Sequence, residues 1–597
     1  MPSVFFPLLA AALLTLLTPN PVRAQETDWR TQLQDMAAPP TQVPVGRCAG
    51  EPKPLGAADP AAFTWAHPKP QGDDLLSVWG NGPKGVWVVG DKGRILRFDG
   101  TRWHEVVTGV QDYLAGVWVD PSGEVFITGY NGRVLHFDGR RWRDLPTGVS
   151  NDFNGIWGSA PDDVFTVGDR GVIFHWDGTC WKRQDSHTEN LFFGVWGSGP
   201  KDVWAVGGRG NVARYDGSQW RPVEVGVAAH FVGVWGSGPN DVYLAGNDGL
   251  LLHFQNDTWT RVALGTDALL RWIWGTGPDD VWVAGDDGVA RHFNGIAWHP
   301  VDTGTSRAVR GGWSDPNGGR AVLVGDDGLI LAARDGEVSA SRKGTLADLA
   351  AVSGDWAVGT GGTLLFRALG GEWTPISLGE DAPLTAVATL ADGRVLTGGY
   401  TGLWIGDAKG WKPLTDPQQG PVHGIRAWGA RAVAVGTGGR VARWDGKRWK
   451  ALPAPGPFDL TGVGGTSADD FWVVGSGGAA AHYRDGAWST HPVASGEDLM
   501  AVSDSGIAVG MFGGILRWDG TAWKALTEDF GLALYAVADD PDGGAWAVGD
   551  FGTIQRIRGD TVTPVTGVTG QGLWGVATGP GGRVTVVGEG GTVLERP

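Results

Sequence analysis

Two neighbouring stretches of the chain decide the fold. Gly194–Val223 reads GVWGSGPKDVWAVGGRGNVARYDGSQWRPV, and Gly233–Val262 reads GVWGSGPNDVYLAGNDGLLLHFQNDTWTRV. Each has a short apolar run, a Gly-Ser-Gly-Pro turn, two further apolar runs and a final run that carries a Trp. Short apolar or alternating runs bounded by Gly, Pro and Asp-Gly turns predict β-strands. Each stretch is therefore predicted to form four strands joined by tight turns.

The same unit recurs fourteen times along the chain. A period near 40 residues with four short strands per period is typical of β-propeller blades. The Gly that ends the second run marks the copies, with 39 residues in each of the first five intervals: Gly90, Gly129, Gly168, Gly207, Gly246, Gly285, Gly325, Gly359, Gly399, Gly436, Gly475, Gly510, Gly549 and Gly588.

Fourteen units predict an all-β chain of two tandem seven-bladed β-propellers, at residues 62–343 and 344–597. The seventh unit departs from the others because Ser339 stands where a fourth-strand Trp is expected. A single ring of fourteen blades would enclose a hole too wide for side chains to fill. The last unit ends before its fourth strand, and a lone strand around Trp65 precedes the first unit. We expect that strand to complete blade fourteen; the alternative places it beside Leu329–Ala333.

The composition agrees with radial repetition. The 597 residues include 100 Gly and 33 Trp, and the net charge is −17, which argues against a nucleic-acid partner. A residue that recurs in nearly every blade is expected to pack between blades. This applies to two Trp series at 39-residue spacing, on the first strands (Trp79, Trp118, Trp157, Trp196, Trp235, Trp274) and on the fourth (Trp103, Trp142, Trp181, Trp220, Trp259, Trp298).

The N-terminal segment predicts export. Residues 1–24 contain an apolar run that is too short to span a bilayer, followed by Val22-Arg23-Ala24, which is typical of a signal-peptide cleavage site. We expect cleavage after Ala24, a periplasmic or secreted product without membrane insertion, and a flexible Pro/Ala-rich leader over 25–61. The two cysteines, Cys48 and Cys180, either pair or remain free thiols.

One repeated pattern carries a family resemblance. The pattern GPxDVWxVGxxGxxxxxDGxxW, present in Gly199–Trp220, Gly238–Trp259 and Gly277–Trp298, resembles secreted bacterial propellers of the WD/YVTN/BNR-like group. It is also similar to propellers of the photosystem II assembly-factor type. The resemblance implies a propeller over about 62–597. For function it leaves glycosidases, lectins and assembly scaffolds open. The turn is one residue shorter than the Asp-box SxDxGxTW and lacks its Ser.

Candidate binding residues lie where the copies differ. In a propeller, the fourth-to-first and second-to-third connections share one face, which we call the mouth face. Variable connections on a repeated scaffold are where binding usually occurs. In contrast, the acidic pairs Asp162-Asp163 and Asp279-Asp280 lie in first-to-second turns, where we expect them to cap their own turns. The mouth-face candidates are Tyr113, Tyr130, Asp152, Phe153, Arg170, His187, Glu189, Arg209, His230, Arg271, Trp272 and Arg310.

These observations predict a monomeric, non-enzymatic propeller that binds a protein or glycan through the mouth of its first ring. No motif indicates a cofactor or a metal, so none is expected. Two alternatives remain open. One is a glycan-active hydrolase that uses two of Asp112, Asp152 and Glu189, because glycosidic hydrolysis requires a pair of carboxylates. The other is an assembly factor for an envelope complex.

Overall fold

Fourteen antiparallel sheets make up the described part of the chain. The computed structural model describes residues 44–48, 52–55, 64–67, 72–316, 320–334, 337–340, 347–367, 372–378, 381–527, 531–565 and 568–596. Each sheet contains four blade strands in the order first, second, third, fourth, one sheet has a fifth strand besides, and we number the sheets as blades 1–14 along the chain. Within the described residues, no helix is long and apolar enough to cross a bilayer.

The strand bounds repeat from blade to blade. In blades 1–14, the first strands are Leu75–Gly80, Leu114–Val119, Phe153–Ala160, Phe192–Gly199, Phe231–Gly238, Leu270–Gly277, Val309–Ser314, Leu349–Ser353, Leu384–Thr389, Val422–Trp428, Leu460–Ser467, Leu499–Val502, Leu534–Asp540 and Leu573–Thr578. The second strands are Val86–Gly90, Val125–Gly129, Asp163–Gly168, Asp202–Gly207, Asp241–Gly246, Asp280–Gly285, Arg320–Gly325, Trp356–Gly359, Val395–Gly399, Arg431–Gly436, Asp470–Gly475, Ile507–Gly510, Gly544–Gly549 and Val584–Gly588.

The outer strands follow the same order. The third strands are Ile95–Phe98, Val134–Phe137, Ile173–Trp176, Val212–Tyr215, Leu251–Gln255, Ala290–Phe293, Leu329–Arg334, Thr363–Arg367, Leu403–Asp407, Arg440–Trp444, Ala480–Arg484, Ile515–Trp518, Ile554–Arg558 and Val593–Arg596. The fourth strands are Trp103–Glu105, Trp142–Asp144, Trp181–Gln184, Trp220–Pro222, Thr258–Val262, Trp298–Pro300, Glu337–Ala340, Trp373–Ser377, Gly410–Leu414, Trp449–Ala451, Ala487–Thr490, Trp523–Ala525, Thr561–Val565 and, for blade 14, Thr64–His67.

Short 3₁₀ turns complete the secondary structure of the described residues. They lie at Asp91–Gly93, Asp169–Gly171, Gly208–Gly210, Asp286–Gly288, Asp326–Gly328, Thr437–Gly439, Ser476–Gly478, Asp550–Gly552, Pro580–Gly582 and Glu589–Gly591.

The blades close into two rings of seven. The first strand of each blade contacts the first strand of the next; blade 7 returns to blade 1, and blade 14 returns to blade 8. The chain is thus two tandem seven-bladed propellers. In blade 14, Thr64 pairs with Glu595 and Trp65 with Leu594, which confirms that the lone N-terminal strand completes this blade. The strand lies within the range 62–343 expected for the first ring but belongs to a sheet of the second.

Part of the leader is fixed to the first ring. Cys48 forms a disulfide with Cys180, 132 residues further along, and bridges to Lys182 of blade 3. Lys53–Pro54 adds a fifth strand to the outer edge of blade 2. The leader was predicted to be flexible over 25–61, and residues 44–48 and 52–55 correct that prediction because sheet edges and the disulfide hold them. Residues 1–43, including the predicted signal segment, lie outside the described residues.

A tryptophan–glycine ladder fills the wedges between blades of the first ring. The fifth residue of every first strand there is Trp, and most of these indoles are buried. Each of six indoles lies against a glycine of the next blade, so closely that an added Cβ would approach its ring within 3 Å. The pairs are Trp118–Gly158, Trp157–Gly197, Trp196–Gly236, Trp235–Gly275, Trp274–Gly312 and, across the ring closure, Trp313–Gly80. The expected packing of the first-strand series between blades is confirmed.

The two rings touch through their mouth-face connections. Asp73 of blade 1 accepts hydrogen bonds from Thr569 Oγ1 (2.6 Å) and from the Gly570 N–H (3.3 Å) of the blade 13–14 connection. Arg94 donates to the Val568 carbonyl (3.0 Å) while it pairs with Asp73 at 2.7 Å. A largely buried ion pair of the first ring therefore anchors a loop of the second ring.

The ladder predicts that a single methyl group will destabilise the first ring. A Cβ on Gly197 would lie 2.7 Å from Trp157 Cη2, whereas Gly199 of the same strand has open space at its Cβ position. We expect Gly197→Ala to lower the free energy of unfolding by about 1–3 kcal/mol, the usual cost of overpacking. Gly199→Ala is the control, since blade 3 already has Ala160 at the equivalent position. Equal melting temperatures for the two variants in calorimetry would contradict the ladder.

Candidate functional site

The mouth turns of the first ring hold side chains in a strained backbone conformation. In each of its seven second-to-third turns, a residue other than glycine has a φ between +51° and +59°, a left-handed conformation that L-residues usually avoid. At the equivalent position, four blades of the second ring have Gly361, Gly438, Gly477 and Gly590. Retained strain of this kind is characteristic of functional surfaces. In blade order, the seven residues are Lys92, Asn131, Arg170, Arg209, Asp248, Asp287 and Asp327.

Charge divides this ring of turns into two sides. Lys92, Arg170 and Arg209 stand on blades 1, 3 and 4, and three aspartates stand on blades 5, 6 and 7. His187 and His230, both predicted binding residues, lie in the connections next to the arginines. Arg209 lies close enough to His230 to help lower its pKa, after the larger effect of burial. The predicted candidates Arg170, His187, Arg209 and His230 therefore share the basic side of the mouth.

An aromatic pair lies beside the basic side. The rings of Tyr113 and Tyr130, both of blade 2, have centroids 4.4 Å apart, and the Tyr130 N–H donates to the Tyr113 carbonyl at 2.9 Å. Arg310, on the first strand of blade 7, forms an ion pair with Asp326. The structure thus brings Tyr113 and Tyr130 together, whereas Arg310 is engaged by a carboxylate of its own blade.

Asn131 joins two of the carboxylates considered for hydrolysis. Its backbone N–H donates to Asp152 Oδ1 at 2.9 Å, and its side-chain amide donates to Asp112 Oδ1 at 3.3 Å. Arg133 also pairs with Asp112, at 2.9 Å. Burial raises the pKa of Asp152. The two carboxylates therefore flank one residue in different environments, and exposed Glu189 lies outside this arrangement.

Phe153 is the clearest correction to the predicted site. Its side chain is fully buried and packs edge-to-face on Phe174, so it belongs to the core of blade 3. Trp272 is also partly structural, because its indole N–H donates to the Gly312 carbonyl at 3.0 Å. Arg271 pairs with Asp286 of its own blade. Sequence variation located the mouth face, but it did not separate the residues that project from those that pack.

The opposite face has a repeated stacked acid–base arrangement. His175 stacks on Phe165 with centroids 4.2 Å apart and contacts Asp163 at 2.6 Å. His292 stacks on Trp282 and contacts Asp280 in the same way, at 2.7 Å. Asp163 and Asp280 also accept hydrogen bonds from Ser159 and Thr276 of their own turns. The second member of each predicted acidic pair therefore serves the turn and the sheet, as expected.

The two faces affect carboxyl groups in opposite ways. Among the described residues, every carboxyl whose pKa is clearly raised lies on the mouth face, and burial is the largest cause in each. They are Asp74, with a pKa of about 6, Asp91, Asp152, Asp169, Asp348 and Glu589. Every carboxyl whose pKa is clearly lowered lies on the opposite face: Asp99, Asp138, Asp163, Asp177, Asp216, Asp280, Asp392, Asp445, Asp469, Asp470, Asp519 and Asp540.

The second ring contains an open channel that no motif in the sequence indicated. Its volume is about 680 Å³, and first strands of all seven blades line it. The cause is visible in the sequence, because the fifth residue of these first strands is never Trp. Six of the seven residues at this position line the channel. In blade order they are Ser353, Ala388, Arg426, Gly464, Ser503, Ala538 and Ala577; Gly464 is the exception, and Ser503 directly follows the four-residue strand of blade 12.

Comparison with solved structures shows the propeller fold. A GH74 xyloglucanase from Xanthomonas campestris is similar, with a TM-score of 0.53, 14% identity and coverage of 90% of this chain and 100% of the other. A GH74 enzyme from Niastella koreensis gives a TM-score of 0.52, 13% identity and coverage of 89% and 99%. The extracellular domain of a putative hybrid two-component system from B. thetaiotaomicron gives a TM-score of 0.36 and 13% identity. The match covers 88% of this chain and 82% of the other. Neither a scan against protein-family models nor a search of curated proteins gives a match.

These neighbours correct the prediction that the protein is not an enzyme. The two GH74 structures have TM-scores above 0.5 and cover 89% and 90% of this chain. The absence of a familiar catalytic motif in the sequence was therefore no ground for excluding catalysis. At this level of identity the likeness is one of fold, and a tandem β-propeller is the class of protein that the comparisons support.

The division between the faces predicts a maximum of stability at mildly acidic pH. Raised-pKa carboxyls on the mouth face bind protons more tightly in the folded chain, so stability increases as the pH falls from 7 towards about 5. Lowered-pKa carboxyls on the opposite face bind protons less tightly when folded, so stability decreases below about pH 4. Asp74→Asn should therefore raise the melting temperature at pH 7. It should also reduce the difference between the melting temperatures at pH 5 and pH 7.

Asp280→Asn is the control from the opposite face, and both variants are measured by differential scanning fluorimetry. Because the pKa of Asp280 is lowered by His292 and Thr276 against the effect of burial, this variant should lose stability at pH 7. The difference between its melting temperatures at pH 5 and pH 7 should stay as large as in the unmodified protein, whereas Asp74→Asn reduces that difference. A melting temperature that is flat between pH 5 and pH 7 in the unmodified protein would contradict the division.

Proposed function

We propose that the protein recognises an anionic polysaccharide at the basic side of the first ring's mouth. The observation that carries the proposal is the set of strained turns in the first ring. Arginines at positions 170 and 209 keep a left-handed backbone where four blades of the second ring have glycine and blade 13 has Phe551. Arg and Lys have no local side-chain interaction that favours this conformation, unlike Asn and Asp. Their retention is explained if they bind a ligand.

The surrounding groups fit a sugar acid. Guanidinium groups pair with carboxylates in a bidentate manner, and the neighbouring histidines add donors. The Tyr113–Tyr130 pair offers aromatic surface next to them. Since the protein as a whole has a charge of −17, the attraction is local to the basic side and should weaken as salt increases.

Hydrolysis is a second candidate function, favoured by the Asp112–Asn131–Asp152 arrangement. In this reaction, protonated Asp152 gives its proton to the glycosidic oxygen as the C–O bond breaks. A water molecule attacks the anomeric carbon and loses a proton to the Asp112 carboxylate. Two carboxyl groups in different environments are the requirement for this chemistry. Burial raises the pKa of Asp152, which suits the proton donor.

Export and a monomeric state belong to the same proposal. The disulfide between Cys48 and Cys180 supports folding in an oxidising compartment, because such bonds are rare in the cytosol. We infer that residues 1–24 are removed after Ala24 and that the protein acts in the periplasm or outside the cell.

The binding proposal is tested with variants that relieve strain. Arg170→Gly and Arg209→Gly, singly and together, should keep the free energy of unfolding within about 1 kcal/mol, because glycine tolerates a positive φ. The double variant should lose at least tenfold in affinity for alginate or polygalacturonate in titration calorimetry. Arg221→Ala, an exposed arginine on the opposite face, is the matched control and should bind normally. Equal affinity for neutral dextran, or unchanged binding by the double variant, would refute the proposal.

Hydrolysis is tested by the release of reducing ends from the same polysaccharides. If the second candidate holds, Asp152→Asn should reduce the rate at least a hundredfold and leave binding intact, since the amide keeps the Asn131 hydrogen bond but has no proton to give. Bound polysaccharide with no reducing ends released by the unmodified protein would exclude this candidate and leave the binding proposal standing.

A further inference from the structure

The channel of the second ring is separate from the site proposed above. It passes from the mouth face, at Asp348 and Tyr400, to the opposite face, at Gly354 and Asp539. A cavity of about 680 Å³ has the size of a small-molecule site. Its central wall is formed by small apolar residues such as Ala386, so a slender ligand fits it better than a bulky one.

Four aspartates line the channel, and ion pairs engage only two of them among the described residues. Asp504 pairs with Arg426, whose Nε donates to Asp504 Oδ1 at 3.0 Å from two blades away. Asp540 pairs with Arg556. Asp348 instead accepts the Gly590 N–H at 2.9 Å, and Asp539 accepts the Ser505 N–H at 2.8 Å. The Ser505 hydroxyl also donates to Asp539, and all of these donors are uncharged, so the hydrogen bonds leave the negative charges of Asp348 and Asp539 unneutralised.

The two carboxylates without a cationic partner lie at opposite ends. Asp348 directly precedes the first strand of blade 8, and Asp539 is the sixth residue of the first strand of blade 13. At the strand rise of about 3.3 Å per residue, they are separated by roughly 20 Å along the channel. Both are half-buried, so a cation that reaches them is partly removed from water and its attraction is strengthened.

Aromatic side chains reinforce the end near the mouth. Trp574 and Tyr535, the second residues of two first strands, both line the channel. The Tyr535 hydroxyl donates to Asp550 at 2.8 Å, which places a further carboxylate next to this end. Aromatic faces beside carboxylates attract ammonium groups. Burial also raises the pKa of Asp348 and of Glu589 close to it, as expected for acids that lack a cation.

We propose that the channel binds an elongated organic ligand with a protonated amine at each end and a slim body between them. Asp348, with Trp574 and Tyr535, holds one amine, and Asp539 holds the other. Two kinds of ligand have protonated amines at both ends of an elongated body: linear polyamines and oligomers of amino sugars. The channel wall limits the width of the ligand. The space available to the ligand corresponds to the space that seven indoles fill in the first ring.

The test uses the whole protein and titration calorimetry. The probes are spermine, a glucosamine trimer and, as the neutral counterpart of the latter, an N-acetylglucosamine trimer. We expect one-to-one binding of at least one amine probe and at least tenfold weaker binding of the neutral trimer. Binding of spermine alone identifies the polyamine source, and binding of the glucosamine trimer alone identifies the sugar source. Both results support the proposal.

Three aspartate variants and one channel-filling variant locate the binding. Asp348→Asn and Asp539→Asn should each lower the affinity for the amine probe at least tenfold. Asp485→Asn removes the same charge from an outer hairpin of the second ring, at a positive φ that Asn accepts, and should bind normally. Ala577→Trp places an indole in blade 14 at the strand position that Trp313 occupies in blade 7, and it should block binding with all aspartates present.

Three results would overturn the proposal. The first is that no amine probe binds, and the second is that the neutral trimer binds as well as the amine probes. The third is an equal loss in all three aspartate variants, which would indicate diffuse attraction to an acidic protein. Circular dichroism and the melting temperature of each variant verify that the second ring is folded before binding is compared.

Discussion

The contact between an indole and a glycine of the next blade is the constraint on which the first ring depends. Each blade must wedge against two neighbours, and the space between inner strands narrows towards the axis. A Trp on one strand fills this wedge only if the facing backbone has no side chain, as at Gly158 and Gly236. Because the indoles are buried, the pairs couple each blade to the next, and the last pair, Trp313–Gly80, closes the circle.

The second ring shows what the same architecture becomes without that contact. Its first strands keep the apolar first and fourth residues, for example Leu349 and Val352, which are buried as in the first ring. The fifth residue is small in all blades except blade 10, which has Arg426. The ring therefore closes through its sheets and valines, and the volume that indoles occupy in the first ring becomes a channel. One sequence position thus separates a filled ring from an open one.

Much of the fold was predictable because repetition averages out local ambiguity. Fourteen copies of one pattern determine the strands, their order and the mouth face. The missing fourth strand of the last unit indicated that the strand around Trp65 would close it. The leader was not predictable in this way, because Lys53–Pro54 belongs to no repeat and pairs only with an edge that blade 2 offers. The Cys48–Cys180 pairing was undecided for the same reason.

The candidate site was less predictable, since function in a repeat protein lies in departures from the repeat and not every departure is functional. Phe153 and Arg170 were both predicted to bind at the mouth, yet Phe153 opens a first strand and packs in the core, whereas Arg170 projects from a strained turn. The position of Phe153 is apolar in every blade, so the repeat itself indicates a core residue there, whereas the strained backbone of Arg170 is visible only in the structure. The pattern of carboxyl groups has the same origin. On the opposite face, turn N–H groups, hydroxyls and stacked histidines satisfy the aspartates, whereas on the mouth face the connections bury carboxylates with fewer such donors. Regular turns therefore stabilise the scaffold, and the groups that the repeat leaves under-satisfied are concentrated where a ligand can reach them.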